Sequence, residues 1–219
     1  MNSLQRMAGV SAILEAIIYV SAFIYWGAFW AYPFDGNVAQ KFSYLSDNQA
    51  ILHVVNLIMY ILWAVLLSVL VIAIYERLKD KSPAITQIAT IFGVIWVGLI
   101  IASGMISNIG LAAVIKISVL EPEKAMAIYS VIVLIVDGLG GGNEVVGGLW
   151  VLLLSIAALK GNDLSKKLNY LGLFVGSAGI LTMYPAEILT EIFGISQILW
   201  FLWLGMILLN SKKPEMVSE

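Results

Sequence analysis

The chain has no cysteine and one histidine, His53, in 219 residues. The first absence excludes disulfides, thiolate metal sites and cysteine catalysis. The second leaves little for a metal. His53 with Glu144 and Glu187 would supply one imidazole and two carboxylates, ligand types that zinc accepts, but no paired-histidine spacing accompanies them. Neither a metal nor a cofactor is expected. A Ser-His-acid arrangement would have to use His53, and no serine has the sharp-turn setting of a nucleophile. Charge is scarce too. Charged residues make up 12% of the chain, where soluble domains carry about a quarter. The net charge of −2 offers no basic field for nucleic acid.

Apolar residues fill the chain instead, at 61%. Runs of about twenty recur along its length, the signature of membrane-spanning helices. The first run follows Arg6, carries Glu15 and is about twice the length of a signal-peptide core, so it reads as a retained span. Breakers and charges divide the rest. Six spans are expected, near residues 7–30, 51–75, 84–120, 125–159, 168–187 and 195–209. The connection 31–48 reads as a polar loop with Phe34, Phe42 and Tyr44 as apolar anchors. Spans three and four each run to about 35 residues, roughly 50 Å of helix against a hydrocarbon core of about 30 Å. The expected fold is all-α: one domain, residues 1–219, forming a polytopic membrane helical bundle of six transmembrane helices.

Nine of the twelve basic residues fall on one side of such a bundle: Arg6; Arg77, Lys79 and Lys81; Lys160, Lys166 and Lys167; Lys212 and Lys213. Lys41, Lys116 and Lys124 fall on the other. The positive-inside rule therefore puts both termini in the cytoplasm, in a plasma-membrane protein. Trp26, Trp30, Trp200 and Trp203 lie towards helix ends, as an interfacial aromatic belt requires.

The stretch Asp137-Gly138-Leu139-Gly140-Gly141-Gly142-Asn143-Glu144 interrupts span four. Four glycines in five positions each cost about 0.8–1.0 kcal/mol relative to alanine inside a helix. A kink or break is expected there. Ionisable groups in lipid are expensive and point to function by default. Depth along the spans puts His53, Asn56, Ser107, Asn108, Asn143, Glu144, Tyr184 and Glu187 at a similar outer level. His53 and Asn56 share a helical side, as do Tyr184 and Glu187. Glu15 stands apart, nearer the inner face. Each also has a plainer reading: Glu144 and Glu15 as groups hydrogen-bonded inside the bundle, His53 and Glu187 as interfacial residues facing water, Asp137 as a cap or solvent-facing acid. Gly172-x-x-x-Gly176-x-x-Gly179 reads as a helix-packing stripe.

Gly141-Gly142-Asn143-Glu144-Val145-Val146-Gly147-Gly148-Leu149-Trp150, Leu168-Asn169-Tyr170-Leu171-Gly172-Leu173, Phe193-Gly194-Ile195-Ser196-Gln197-Ile198-Leu199-Trp200 and Arg6-Met7-Ala8-Gly9 resemble a family of six-span prokaryotic integral membrane proteins of unknown function. The resemblance implies an all-helical fold in the cytoplasmic membrane and transfers no substrate or catalytic residue. From the residues themselves, the first functional reading is a polar pocket towards the outer face that binds a small molecule or lipid headgroup. A proton-coupled transporter using Glu15 and Glu144 is the second, and an intramembrane hydrolase the third. Binding is favoured over catalysis. The bilayer is the one partner the composition requires.

Overall fold

A computed structural model describes residues 3–141, 144–184 and 186–210. Among these residues there is no strand. Nine α-helices occur: α1 Ser3–Ile24, α2 Val38–Asp47, α3 Gln49–Asn56, α4 Trp63–Leu78, α5 Pro83–Ser118, α6 Pro122–Val136, α7 Val145–Lys160, α8 Lys166–Leu181 and α9 Glu187–Asn210. Three π-helical stretches adjoin them: Tyr25–Phe29, Leu57–Leu62 and Asp137–Gly141. Five stretches are long and apolar enough to cross a membrane: Ser3–Phe29, Gln49–Leu78, Pro83–Ser118, Pro122–Lys160 and Glu187–Asn210. The fourth includes residues 142–143, outside the described set. At 16 residues, α8 falls short of them.

The sequence explains most boundaries. Pro83 and Pro122 each open a helix, the position where a missing N–H costs nothing. No breaker then interrupts α5 for 36 residues. Three boundaries differ from expectation. The supposed loop 31–48 contains α2, started by a capping box in which Asn37 accepts from the Gln40 amide and the Gln40 side chain accepts from the Asn37 amide. That box turns a weakly apolar segment into a helix. Residues 182–186 separate α8 from α9, because the residue before Pro185 is disfavoured in helix. Glu187 therefore opens α9 instead of closing span five, and α9 begins eight residues before the expected Ile195.

The chain forms two compact units. One comprises Met1–Ile17, Val65–Ile95 and Glu144–Glu219. Its helices approach at glycines. A Cβ at Gly176 would sit 2.6 Å from the Leu152 backbone nitrogen, and one at Gly148 would sit 2.7 Å from the Gly176 carbonyl oxygen. A Cβ at Gly172 would overlap the Ser155 hydroxyl. So α7 and α8 touch backbone to backbone along the expected stripe. Phe193 and Trp200 of α9 pack on the same glycines, and α1 reaches α9 where Ile13 and the Gly9 carbonyl face Gly205. Trp200 is thus core and not belt: it is 1% exposed and meets the Trp150 ring edge-on at 5.9 Å.

The α7–α8 turn is held by Asp163. One carboxylate oxygen accepts from Arg77 Nε and the other from Lys81 Nζ, each at 2.5 Å. The first also accepts from the Leu164 amide at 2.6 Å, and the Asn169 side chain donates to the Asp163 carbonyl at 3.0 Å. Asn162 and Leu164, on either side, have φ of 49° and 55°. Asparagine tolerates that left-handed region, but leucine does so only under constraint. Burial would raise the Asp163 carboxyl, and its hydrogen bonds from Lys81 and Arg77 more than offset this, holding it below the usual carboxylate range.

The second unit comprises Ile18–Ala64 and Trp96–Asn143. Its core gathers Phe42 and Leu45 of α2, Leu52 of α3, Leu111 and Val114 of α5, and Ala125 of α6. Trp30 stacks on Tyr32 at 5.4 Å and meets Tyr44 edge-on at 5.2 Å. The Tyr44 hydroxyl accepts from the Ala31 amide at 3.1 Å. Trp63, the first residue of α4, bridges Tyr19 of α1 and Trp96 of α5.

Two stability measurements test these contacts. Gly176→Ala should cost about 1–3 kcal/mol, because its methyl meets backbone that cannot rotate away. Gly98→Ala, with nothing within 4 Å, should instead gain up to about 1 kcal/mol of helix preference. Thermal unfolding in detergent would separate the two, and equal shifts would contradict close packing at Gly176. For Asp163, the lowered folded value means that its contribution is fully present above the unfolded value of about 3.9 and disappears as pH falls through the folded one. Asp163→Asn should cost about 1–3 kcal/mol at neutral pH, with the difference from wild type shrinking below about pH 4. A pH-independent difference would remove the ion pairs as its source.

Candidate functional site

Three of the expected outer-level groups come together in the second unit. The Asn56 Nδ2 donates to Asn108 Oδ1 at 3.0 Å, and Asn108 Nδ2 donates to the His53 backbone carbonyl at 3.3 Å. This chain has a direction. A carbonyl oxygen only accepts, so Asn108 must present its amino group to His53 and its oxygen to Asn56. Asn56 is then forced to spend its amino group on Asn108, which leaves its own oxygen as an acceptor. Helix α3 ends at Asn56, which is 9% exposed. His53 contributes through its backbone, and its Nε2 is buried without a hydrogen-bond partner among the described residues.

Asn56 also lines a cavity of about 320 Å³ within this unit. Trp26 and Trp30 form one wall, their rings 4.9 Å apart at 74°. Tyr60, Ser107, Tyr129 and Asp137 add four more polar groups, and aliphatic side chains of α3, α5 and α6 close the remainder. The three π-helical stretches each send one side chain here: Trp26 from Tyr25–Phe29, Tyr60 from Leu57–Leu62, and Asp137 from Asp137–Gly141. A π-turn is costlier than α-helix and recurs at functional sites because it re-aims side chains. In Asp137–Gly141 the helical geometry is lost at Gly140, with φ 147° and ψ 23°, a conformation that suits glycine.

The other candidates lie in the first unit. Glu144 precedes α7 as its N-cap residue and is 8% exposed. Its amide donates to Thr182 Oγ1 at 2.9 Å, and that hydroxyl donates to the Gly179 carbonyl at 2.7 Å. A carboxylate at a helix N-terminus is favourably placed against the helix dipole. Tyr184 is 70% exposed in the turn after α8, and Glu187 is an exposed first residue of α9. They do not share a helix side, since no helix contains both. Glu15 is 0% exposed, and neither carboxylate oxygen has a hydrogen-bond partner among the described residues. Asn143 lies outside the described residues. Among them, no group of three histidine, aspartate or glutamate side chains could hold a metal ion.

Sequence reasoning missed Trp26, Trp30, Tyr60 and Tyr129 as site residues; it placed Ser107 at the outer level and weighed Asp137 as an ionisable candidate, a cap or a solvent-facing acid, without joining either to this cavity. A signal was present. Leu52, Asn56 and Tyr60 recur every four residues, and Tyr129, Ile132, Val133, Val136 and Asp137 follow helical spacing. In an apolar helix, that spacing puts scattered polar groups on one face.

The asparagine pair gives a double-mutant test. Asn108→Leu should cost about 1–2 kcal/mol by thermal unfolding in detergent, since it strands the Asn56 amide. Asn56→Leu with Asn108→Leu should cost less than the two single changes added together; strict additivity would show that the pair does not interact. Compared with protein-family models, curated proteins and solved structures, the chain has no match.

Proposed function

We propose that this is an integral membrane protein that binds a small molecule or lipid headgroup in the cavity of the second unit. The observation that carries the reading is the convergence of three π-helical stretches on one cavity with aromatic walls and polar groups. Polar side chains in an apolar chain are costly unless they are used, and here they share one space. The volume lies at the small end of ligand pockets, about 300–1,000 Å³.

In this reading the chain crosses the plasma membrane six times. Helix α8 supplies the crossing that the five longer stretches do not, and span four is broken at Asp137–Gly141, where the Gly140 φ supports a break. The basic-residue bias places both termini in the cytoplasm and opens the cavity to the outer face. The chain is then a relative of the six-span prokaryotic family it resembles. Proton-coupled transport is the second reading, favoured by one observation: Glu15 is fully buried with no hydrogen-bond partner among the described residues.

With no native cysteine, accessibility can be read one site at a time. A membrane-impermeant thiol reagent applied to intact cells should label Asp47→Cys and Ser107→Cys and spare Ser211→Cys. Labelling of Ser211→Cys with sparing of Asp47→Cys would invert the orientation. An unlabelled Ser107→Cys beside a labelled Asp47→Cys would show that the cavity does not open outward.

A further inference from the structure

The cavity's charge has a sign. Among the described residues its lining holds one carboxylate, Asp137, and no lysine, arginine or histidine. The asparagine chain turns the Asn56 oxygen into an acceptor. Aromatic faces are electron-rich, and Trp26, Trp30, Tyr60 and Tyr129 all contribute to the lining. We propose that the cavity takes an alkylammonium group, such as a choline-type cation, carried either by a free solute or by a lipid headgroup. This rests on the pocket reading above.

The alternatives fit less well. An anion would meet the Asp137 carboxylate with no basic group to offset it. A bare metal ion needs a dense set of oxygen ligands, whereas much of this wall is indole and phenol. A neutral solute would leave the carboxylate unmatched. An alkylammonium group suits both halves of the wall. Its weakly hydrated methyl groups favour the faces of tryptophan and tyrosine through cation–π attraction, and its charge matches the carboxylate. The Trp26 and Trp30 rings, at 74° to each other, make a corner that fits a rounded cation better than a flat ring. The 320 Å³ available has room for such a headgroup.

The test uses the full chain in maltoside micelles and radiolabelled choline in equilibrium dialysis. Choline should bind saturably. Its uncharged carbon isostere, 3,3-dimethylbutanol, should compete at least tenfold more weakly than unlabelled choline. Asp137→Asn should weaken choline binding at least tenfold, as should Tyr129→Leu, while Tyr129→Phe should retain most of it. Equal competition by the isostere would overturn the cation assignment and leave the pocket standing. Absence of choline binding with Ser107→Cys still labelled would do the same. Absence of binding together with an unlabelled Ser107→Cys would remove the pocket itself. Nanodiscs identify the source of the cation. Choline binding that survives in phosphatidylglycerol discs but is lost in phosphatidylcholine discs supports a headgroup occupant, and binding that survives in both supports a free solute.

Discussion

In hydrocarbon, a backbone amide that is not bonded within its own segment has nowhere else to go. Five stretches of this chain are long and apolar enough to cross a membrane, and on them that constraint would act. It accounts for long helices in place of strands among the described residues, and for helices that touch most closely at glycine. Lipid tails are as apolar as leucine, so burying leucine between helices gains little, and attraction has to come from close van der Waals contact. Gly148, Gly172, Gly176 and Gly179 let α7 and α8 meet backbone to backbone. Trp150, Phe193 and Trp200 then fill the space around that crossing.

The same constraint sorts the polar side chains. Asp163 stands in a turn and carries two cationic partners, so its burial is offset on the spot. Asn56 and Asn108 satisfy each other and end on a backbone carbonyl. Thr182 uses its hydroxyl twice, accepting from the Glu144 amide and donating to the Gly179 carbonyl. Each arrangement closes a polar group on a nearby one. In the second unit, polar side chains with Asn56 among them also line a cavity.

Much of this was legible in the sequence, and the limits have physical causes. Apolar length identified the long helices, and α5 follows its expected bounds closely, since Pro83 starts it and nothing interrupts it. The packing stripe on α8 was readable because glycine has few other uses inside a helix. Asn56 and Asn108 were chosen on depth and do meet. Depth could not reveal azimuth, however. Sparse polar groups give an apolar helix little contrast between its faces, so Asp137 was read as a cap or solvent-facing acid and Tyr129 was not singled out, although both line the cavity. Trp200 misled for a related reason: a tryptophan near a helix end suits either an interface or a core, and only its neighbours Gly172 and Trp150 decide. Tyr184 and Glu187 were joined by counting three residues across a break that Pro185 signals.

The π-helical stretches have a consequence for how the helices can vary. An i→i+5 hydrogen bond accommodates one residue more than an α-turn, so Leu57–Leu62, which runs from α3 directly into α4, behaves as a single-residue insertion held inside a helix. Removing that residue would restore regular α-geometry and rotate everything beyond it by about 100°, the angle of one residue in a 3.6-fold turn. In Leu57–Leu62, the extra residue sets the phase between Asn56 on one side and Trp63 on the other. Asn56 reaches Asn108, while Trp63 lies between Tyr19 and Trp96. Neither partnership could persist if the other kept its place. The length of this helix is therefore fixed to the residue, although nearly any apolar side chain would satisfy its composition.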